Sequence, residues 1–207
     1  IRINEACQDD LRLMLRFLNI AKQGIDMNLI AFRKPTRVYR SDSCPFGLSG
    51  YSDQGFAWRF EIPEKLRFRA LNNLLEYIAS IITPWVDMLA KRLTRGDCAL
   101  SMTDSSTSAG WLRKTNFREL TGVEPNPIQA SVRIETARHH ATLFLEAGIK
   151  EYSQWFPGPE NNVADALSRD FDRSDDELTL ILRDTCPSQL PQHFQIVPLP
   201  NEISSWL

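Results

Sequence analysis

The sequence predicts an α/β domain: a mixed five-stranded sheet with helices on both faces, preceded by a helical connector and followed by a tail. Three observations predict it. Three strand-like segments lie between residues 37 and 62 with only turn residues between them, the pattern of antiparallel hairpins. From residue 71 onward helical and strand periodicities alternate, the pattern of a mixed sheet covered by helices. Finally, 43% of the 207 residues are hydrophobic, enough for one core of about 120–150 residues with appendages.

The elements follow in order. Residues 8–23 carry Leu11, Leu15 and Leu18 at helical spacing, behind Asp9-Asp10, acids suited to a helix start. A connector over 29–35 ends at Pro35. Strands are expected at Arg37–Ser43, Gly47–Ser52 and Phe56–Ile62, the last two joined by the turn Ser52-Asp53-Gln54-Gly55. Leu71 to about Leu93 reads as a long helix with Leu74, Leu75, Ile78, Ile81, Ile82 and Trp85 on its apolar face, kinked or divided at Pro84. Cys98–Thr103 is a fourth strand, and Ser105 opens a helix through Trp111. Asn126-Pro127 starts a longer helix that Gly148 stops. Lys150–Phe156 is the fifth strand, closed by Gly158-Pro159, after which Asn161 or Asn162 caps a helix carrying Asp165. Ser174–Asp184 reads as an acidic helix. Beyond it Pro187, Pro191, Pro198 and Pro200 predict an extended tail rather than packed regular structure. The division is therefore 1–35 connector, 36–170 α/β domain, and 171–207 acidic helix with Pro-rich extension.

Composition narrows the function classes. No apolar run approaches the 18 residues of a membrane span, and no signal peptide is visible, so no membrane partner is expected. Four scattered cysteines, Cys7, Cys44, Cys98 and Cys186, fit neither a zinc motif nor a disulfide framework and suggest reduced thiols in an intracellular protein. Cys44 lacks a base and an orienting partner, so it reads as a packing residue rather than a nucleophile. Starting at Ile1 rather than Met, the chain is expected to be a piece of something longer. The net charge of −2 conceals an asymmetry: residues 1–120 hold 18 Lys/Arg and 13 Asp/Glu, whereas residues 121–207 hold 6 and 13. The basic groups of the first part, among them Arg33 to Arg40, Lys65 to Arg69 and Arg113-Lys114, could track a phosphate backbone or simply be a solvated surface.

Four carboxylates stand out by their contexts. Asp42 lies at the end of the first strand, Glu76 inside the first long helix, Asp104 at the end of the fourth strand, and Asp165 on the helix after the fifth. Singly, each has an ordinary reading as a turn cap, a helix-dipole partner or a surface residue. Together they can converge, because the first and fourth strands of an open sheet can be neighbours whose carboxyl ends border a crevice. Converging carboxylates in a half-buried pocket need compensating cations, and an all-oxygen set suits Mg²⁺ or Mn²⁺ rather than zinc.

These residues carry a family resemblance. The segments Ser41-Asp-Ser-Cys-Pro-Phe-Gly-Leu-Ser-Gly-Tyr51, Ala57-Trp-Arg-Phe60, Asn73-Leu-Leu-Glu76, Thr103-Asp-Ser105 with Gly110-Trp-Leu112, and Gln154-Trp-Phe-Pro-Gly-Pro-Glu-Asn-Asn-Val-Ala-Asp-Ala-Leu-Ser-Arg169 resemble the ribonuclease H domain of a retroelement reverse transcriptase, gypsy-like or DIRS-like. Residues 36–170 carry the resemblance, which implies a ribonuclease H-like fold and an Asp42, Glu76, Asp104, Asp165 tetrad holding two Mg²⁺ ions, with Mn²⁺ a possible substitute. It also implies hydrolysis of the RNA strand of an RNA–DNA hybrid, and a covalently linked upstream polymerase. No polymerase motif is present. The histidine that many cellular members carry before the final aspartate is absent; His139-His140 fall in the preceding helix and read as packing or surface residues.

Position and charge nominate substrate contacts: backbone groups around Ser43, Cys44 and Pro45 with the Glu76 side chain toward the RNA strand, Arg113 and Lys114 toward the DNA phosphates, with selectivity from duplex shape and 2′-hydroxyls. Trp58, Trp85 and Trp111 read as core residues before stacking groups. The competing readings are a catalytically decayed or domesticated nucleic-acid-binding module, and another nuclease or strand transferase on the same architecture; the Ala164-Asp-Ala-Leu-Ser-Arg169 ending argues against the second.

Overall fold

The computed structural model of the chain describes residues 4–22, 24, 33–113 and 127–207. Six strands, β1 Arg37–Cys44, β2 Gly47–Ser52, β3 Phe56–Glu61, β4 Cys98–Thr103, β5 Lys150–Trp155 and β6 Gln195–Ile196, form one sheet in the order β5-β4-β1-β2-β3-β6. The first three make an antiparallel meander. β4 then joins β1 in parallel, with Tyr39 opposite Ser101, and β5 joins β4 in parallel. The predicted five strands thus become six. The extra one comes from the Pro-rich tail, where Gln195 N–H donates to Gly55 O and Val197 N–H to Ala57 O. Proline forbids this only where its missing N–H is needed; Pro191 and Pro198 flank the short pairing instead of interrupting it.

Seven helices are described: α1 Glu5–Ala21, α2 Asn72–Leu89, α3 Ser106–Arg113, α4 Pro127–Ala147, α5 Asn162–Arg169, α6 Asp175–Thr185 and α7 Asn201–Trp206. α1 starts earlier than its aspartates suggest because the Asn4 side chain accepts from Cys7 N–H at 2.8 Å. Gly148, with φ +66°, ends α4. Pro84 does not divide α2, whose residues 74–87 are all buried, so packing on the sheet holds the helix through the lost hydrogen bond. α6 opens on a complete capping box between Ser174 and Glu177.

Two apolar layers cover the sheet. Alternation along the strands sends Leu48 and Trp58 to one face, where they meet Leu74, Leu75, Ile78 and Ile82 of α2. The same alternation sends Tyr51 and Ala57 to the other face, against Val163 and Leu167 of α5 and Leu178 and Leu182 of α6. Ile203 of α7 is fully buried in the first layer. Residues 171–207 therefore share cores with the sheet; the stretch expected to be extended is packed with regular structure, because Leu178, Leu182, Phe194 and Ile203 bury apolar area the strands alone would leave wet. α1 sits on α4 through ion pairs, Arg138 with Asp10 at 2.8 Å and Arg16 with Glu146, while its Leu11, Met14, Leu15 and Leu18 stripe faces solvent. No helix among the described residues is long and apolar enough to cross a membrane.

Candidate metal centre

Successive β1 side chains leave opposite faces of the sheet, and the centre is built on that alternation. Ser41 and Ser43 point to α2. The Ser41 hydroxyl pairs with that of Ser80 at 2.9 Å, while Ser43 donates its N–H (3.1 Å) and hydroxyl (3.0 Å) to Glu76 Oε1. Asp42, between them, points to α5, where Ser168 Oγ donates to its Oδ2 at 2.6 Å.

Glu76 is the first member of a polar stripe on α2. Glu76, Ser80, Thr83 and Asp87, at spacings of four, three and four, share one helix face turned toward the sheet. All are partnered: Thr83 Oγ1 accepts from Trp58 Nε1 at 3.2 Å, and Asp87 accepts from Tyr39 Oη at 3.2 Å. Such close docking needs small strand residues. A Cβ on Gly50 would fall well inside contact with Thr83 Oγ1, so only glycine fits opposite Ser41.

Asp104 follows the last residue of β4. Because β4 is parallel to β1, it emerges at the same end of the sheet as Asp42. Thr103 Oγ1 donates to Glu76 Oε2 at 3.4 Å, and Trp155 Nε1 donates to Asp104 O at 2.8 Å. The β5–α5 loop lies against the carboxylate so tightly that a Cβ on Gly158 would be 3.3 Å from Asp104 Oδ2. Ser105 caps α3 by accepting from Ser108 N–H at 3.2 Å.

One oxygen each from Asp42, Glu76 and Asp104 lies within 4.8 Å of the others, a set able to hold a metal ion. Asp42 and Glu76 are only 4% and 3% exposed. Asp165 stands outside that set: it is half-exposed on the wall of the same cleft and accepts from Arg169 Nε at 2.7 Å. α5 is fastened in place from behind. Asn161 holds the expected cap position, yet its side chain turns inward and donates to Ser41 O at 3.0 Å instead of capping, while Ser49 Oγ donates to Ala164 O at 2.7 Å.

Electrostatics follow from this crowding. Burial raises Asp42 to about 6, with Asp104 and Asp165 pushing the same way and the Ser168 hydrogen bond opposing. Burial also raises Glu76 to about 8, reinforced by Asp42 and Asp104 and opposed by the two Ser43 bonds. Asp104 is raised by burial and by Asp165. Arg169 is the one cation lining the cleft among the described residues, and it is engaged with Asp165. A divalent cation would remove the repulsion that now favours protons, and the all-oxygen donor set fits a hard ion.

The other nominated residues are distributed differently. The amide and hydroxyl of Ser43 are both spent on Glu76, and the Cys44 thiol, buried, donates to Ser168 O at 3.1 Å, so both side chains brace the site from inside. Arg113 ends α3 with its guanidinium near Ser153 O at 3.4 Å, and Lys114 lies outside the described residues. Trp58 and Trp85 are buried core residues. His140 pairs with Glu151 at 2.6 Å and His139 stacks on Trp206, both in the packing around α4. Ser168, Asn161 and Thr103, which orient the carboxylates and α5, carry no sequence signal of that role; the packing of α5 and α2 against the sheet reveals it. No protein-family model matches the chain, and no curated protein matches it.

Proposed function

We propose that the chain is a ribonuclease H-type endonuclease that hydrolyses the RNA strand of RNA–DNA hybrids, as part of a retroelement reverse transcriptase polyprotein. The observation that carries this reading is the approach of Asp42, Glu76 and Asp104 to within 4.8 Å at the carboxyl ends of β1 and β4, with Asp165 across the cleft. Those four residues would hold two Mg²⁺ ions. Bound ions of this kind supply an activated water and charge to offset the leaving oxygen of a phosphodiester.

The chain's own groups do the rest. Ser168 holds Asp42, and Ser43 with Thr103 holds Glu76, so the donor oxygens are oriented before any ligand arrives. Arg169 keeps Asp165 at the cleft wall through Oδ1 alone, and an exposed i,i+4 pair worth about 0.3–0.5 kcal/mol would leave that carboxylate able to help hold a second ion. Hydrolysis then leaves a 3′-hydroxyl and a 5′-phosphate. The cleft floor is the polar edge of the sheet with Asn72 and Asn73 beside it, suited to sugar and phosphate contacts rather than base readout.

The test is incubation of the chain with labelled RNA–DNA hybrid, duplex RNA and duplex DNA, in Mg²⁺ or EDTA. Metal-dependent loss of only the hybrid's RNA, abolished by Asp104→Asn, is the expected result. Tight hybrid binding without cleavage would make it a binding module, and cleavage of duplex DNA would overturn the reading.

A further inference from the structure

Beside the cleft, the surface changes character. Phe68 is 72% exposed and Phe46 44% exposed, their rings in edge-to-face contact at 5.6 Å. Arg67 lies over Phe46 at 5.5 Å and is itself anchored, through Ile62 O at 3.1 Å and Glu61 at 2.7 Å. Lys65 and Arg69 are exposed on either side of Phe68. An aromatic ring standing in water is costly, and here the backbone is strained to keep it there. Phe68 has φ +62°, a conformation a bulky residue adopts at a cost of about 1–2 kcal/mol. Strain of this kind concentrates at ligand sites.

Along the chain the patch adjoins the metal centre. Three residues after Arg69 come Asn72 and Asn73, which line the cleft; Phe46 follows three residues after Ser43, which lines it too. Behind Phe68 runs an apolar groove of about 540 Å³, walled by Pro45, Leu66 and Leu74, with Lys65 and Arg69 also on its lining. Exposed rings flanked by cations are how proteins hold unstacked nucleotides: bases lie on the rings while the cations meet the phosphates. Paired bases inside a duplex offer no such faces.

Building on the hybrid-nuclease reading, we propose that Phe46 and Phe68, with Lys65 and Arg69, form a subsite for unpaired nucleotides of the strand that leaves the cleft. The occupant is a single-stranded extension of the substrate. The cationic flanks, Lys65 and Arg69, and the patch's closeness along the chain to the cleft proposed to take a polynucleotide favour it over a protein partner.

The experiment measures binding of the whole chain, in Ca²⁺ and without turnover, to a blunt fluorescent RNA–DNA hybrid and to the same hybrid with a five-nucleotide single-stranded extension at either end. One extension should tighten binding by about 5- to 100-fold. Phe68→Ala should remove that gain and leave blunt-hybrid binding unchanged. Phe68→Gly should do the same while raising Tm, since glycine relieves the positive φ; this shows that loss of the gain is not loss of the fold. Equal affinity for blunt and extended hybrids would overturn the subsite and leave the nuclease reading standing. Absence of binding to every hybrid would overturn the nuclease reading itself. Concentration-dependent self-association abolished by Phe68→Ala would also overturn the subsite, making the patch an interface between copies.

Discussion

Ser168 Oγ donates to Asp42 Oδ2 at 2.6 Å, joining residues 126 positions apart at the meeting of α5 and β1. This bond opposes the burial that raises Asp42, so it keeps the carboxylate available to a cation at neutral pH. Ser168→Ala should raise Asp42 above about 6. Titrated with Mn²⁺ by calorimetry, the variant should need roughly tenfold more metal at pH 6.5, as expected for losing a hydrogen bond to a charged group. At pH 8.5, where Asp42 is ionised in both proteins, the difference should shrink. An equal loss at both pH values would mean that Ser168 merely supports the fold.

Glu76 makes the metal-free protein pH-sensitive in a defined direction. Its folded pKa is about 8 against 4.5 for the free side chain. Between those values the folded state keeps a proton the unfolded state has released, so stability falls as pH rises from about 5 to 8. Thermal melts in EDTA should show that fall, and Glu76→Gln should flatten it. Mg²⁺ should restore Tm at pH 8 in the parent but far less in Glu76→Gln. A melt profile in EDTA that Glu76→Gln does not alter would refute the assignment.

Gly50 is where a methyl group would press α2 away from the sheet. Its Cβ would collide with Thr83 Oγ1 and stand 3.0 Å from Arg40 O, displacing α2 from β1 and β2. Gly50→Ala should cost about 2–3 kcal/mol in urea unfolding. Thr83→Ala in the same chain should recover part of that loss, a coupling that independent sites would not show.

The tail should prove structural. Ile203→Ala, in a side chain with no exposure, should cost about 2–5 kcal/mol. Removal of residues 174–207 should abolish the cooperative transition, because it uncovers Tyr51, Ala57, Val163 and Leu167 together. A truncated chain that melts like the parent would contradict the packing described.

By itself the sequence determined β1 to β5 and α1 to α6, since period-two and period-3.6 patterns and the Gly148 stop are local signals. It also determined which four carboxylates to watch, because Asp42 and Asp104 are written at strand ends. It could not decide how closely those carboxylates approach. That depends on parallel pairing of β1 with β4 and on Gly50 letting α2 sit close enough for Glu76 to reach Ser43. Tertiary structure alone turned Asn161 from a helix cap into a tie to Ser41. It also made a proline-rich tail into a sixth strand and part of both cores. The physical reason is common to all three. Local signals report what a segment prefers alone, whereas the burial of Asn161, Phe194 and Ile203 depends on surfaces contributed by segments far away in the chain.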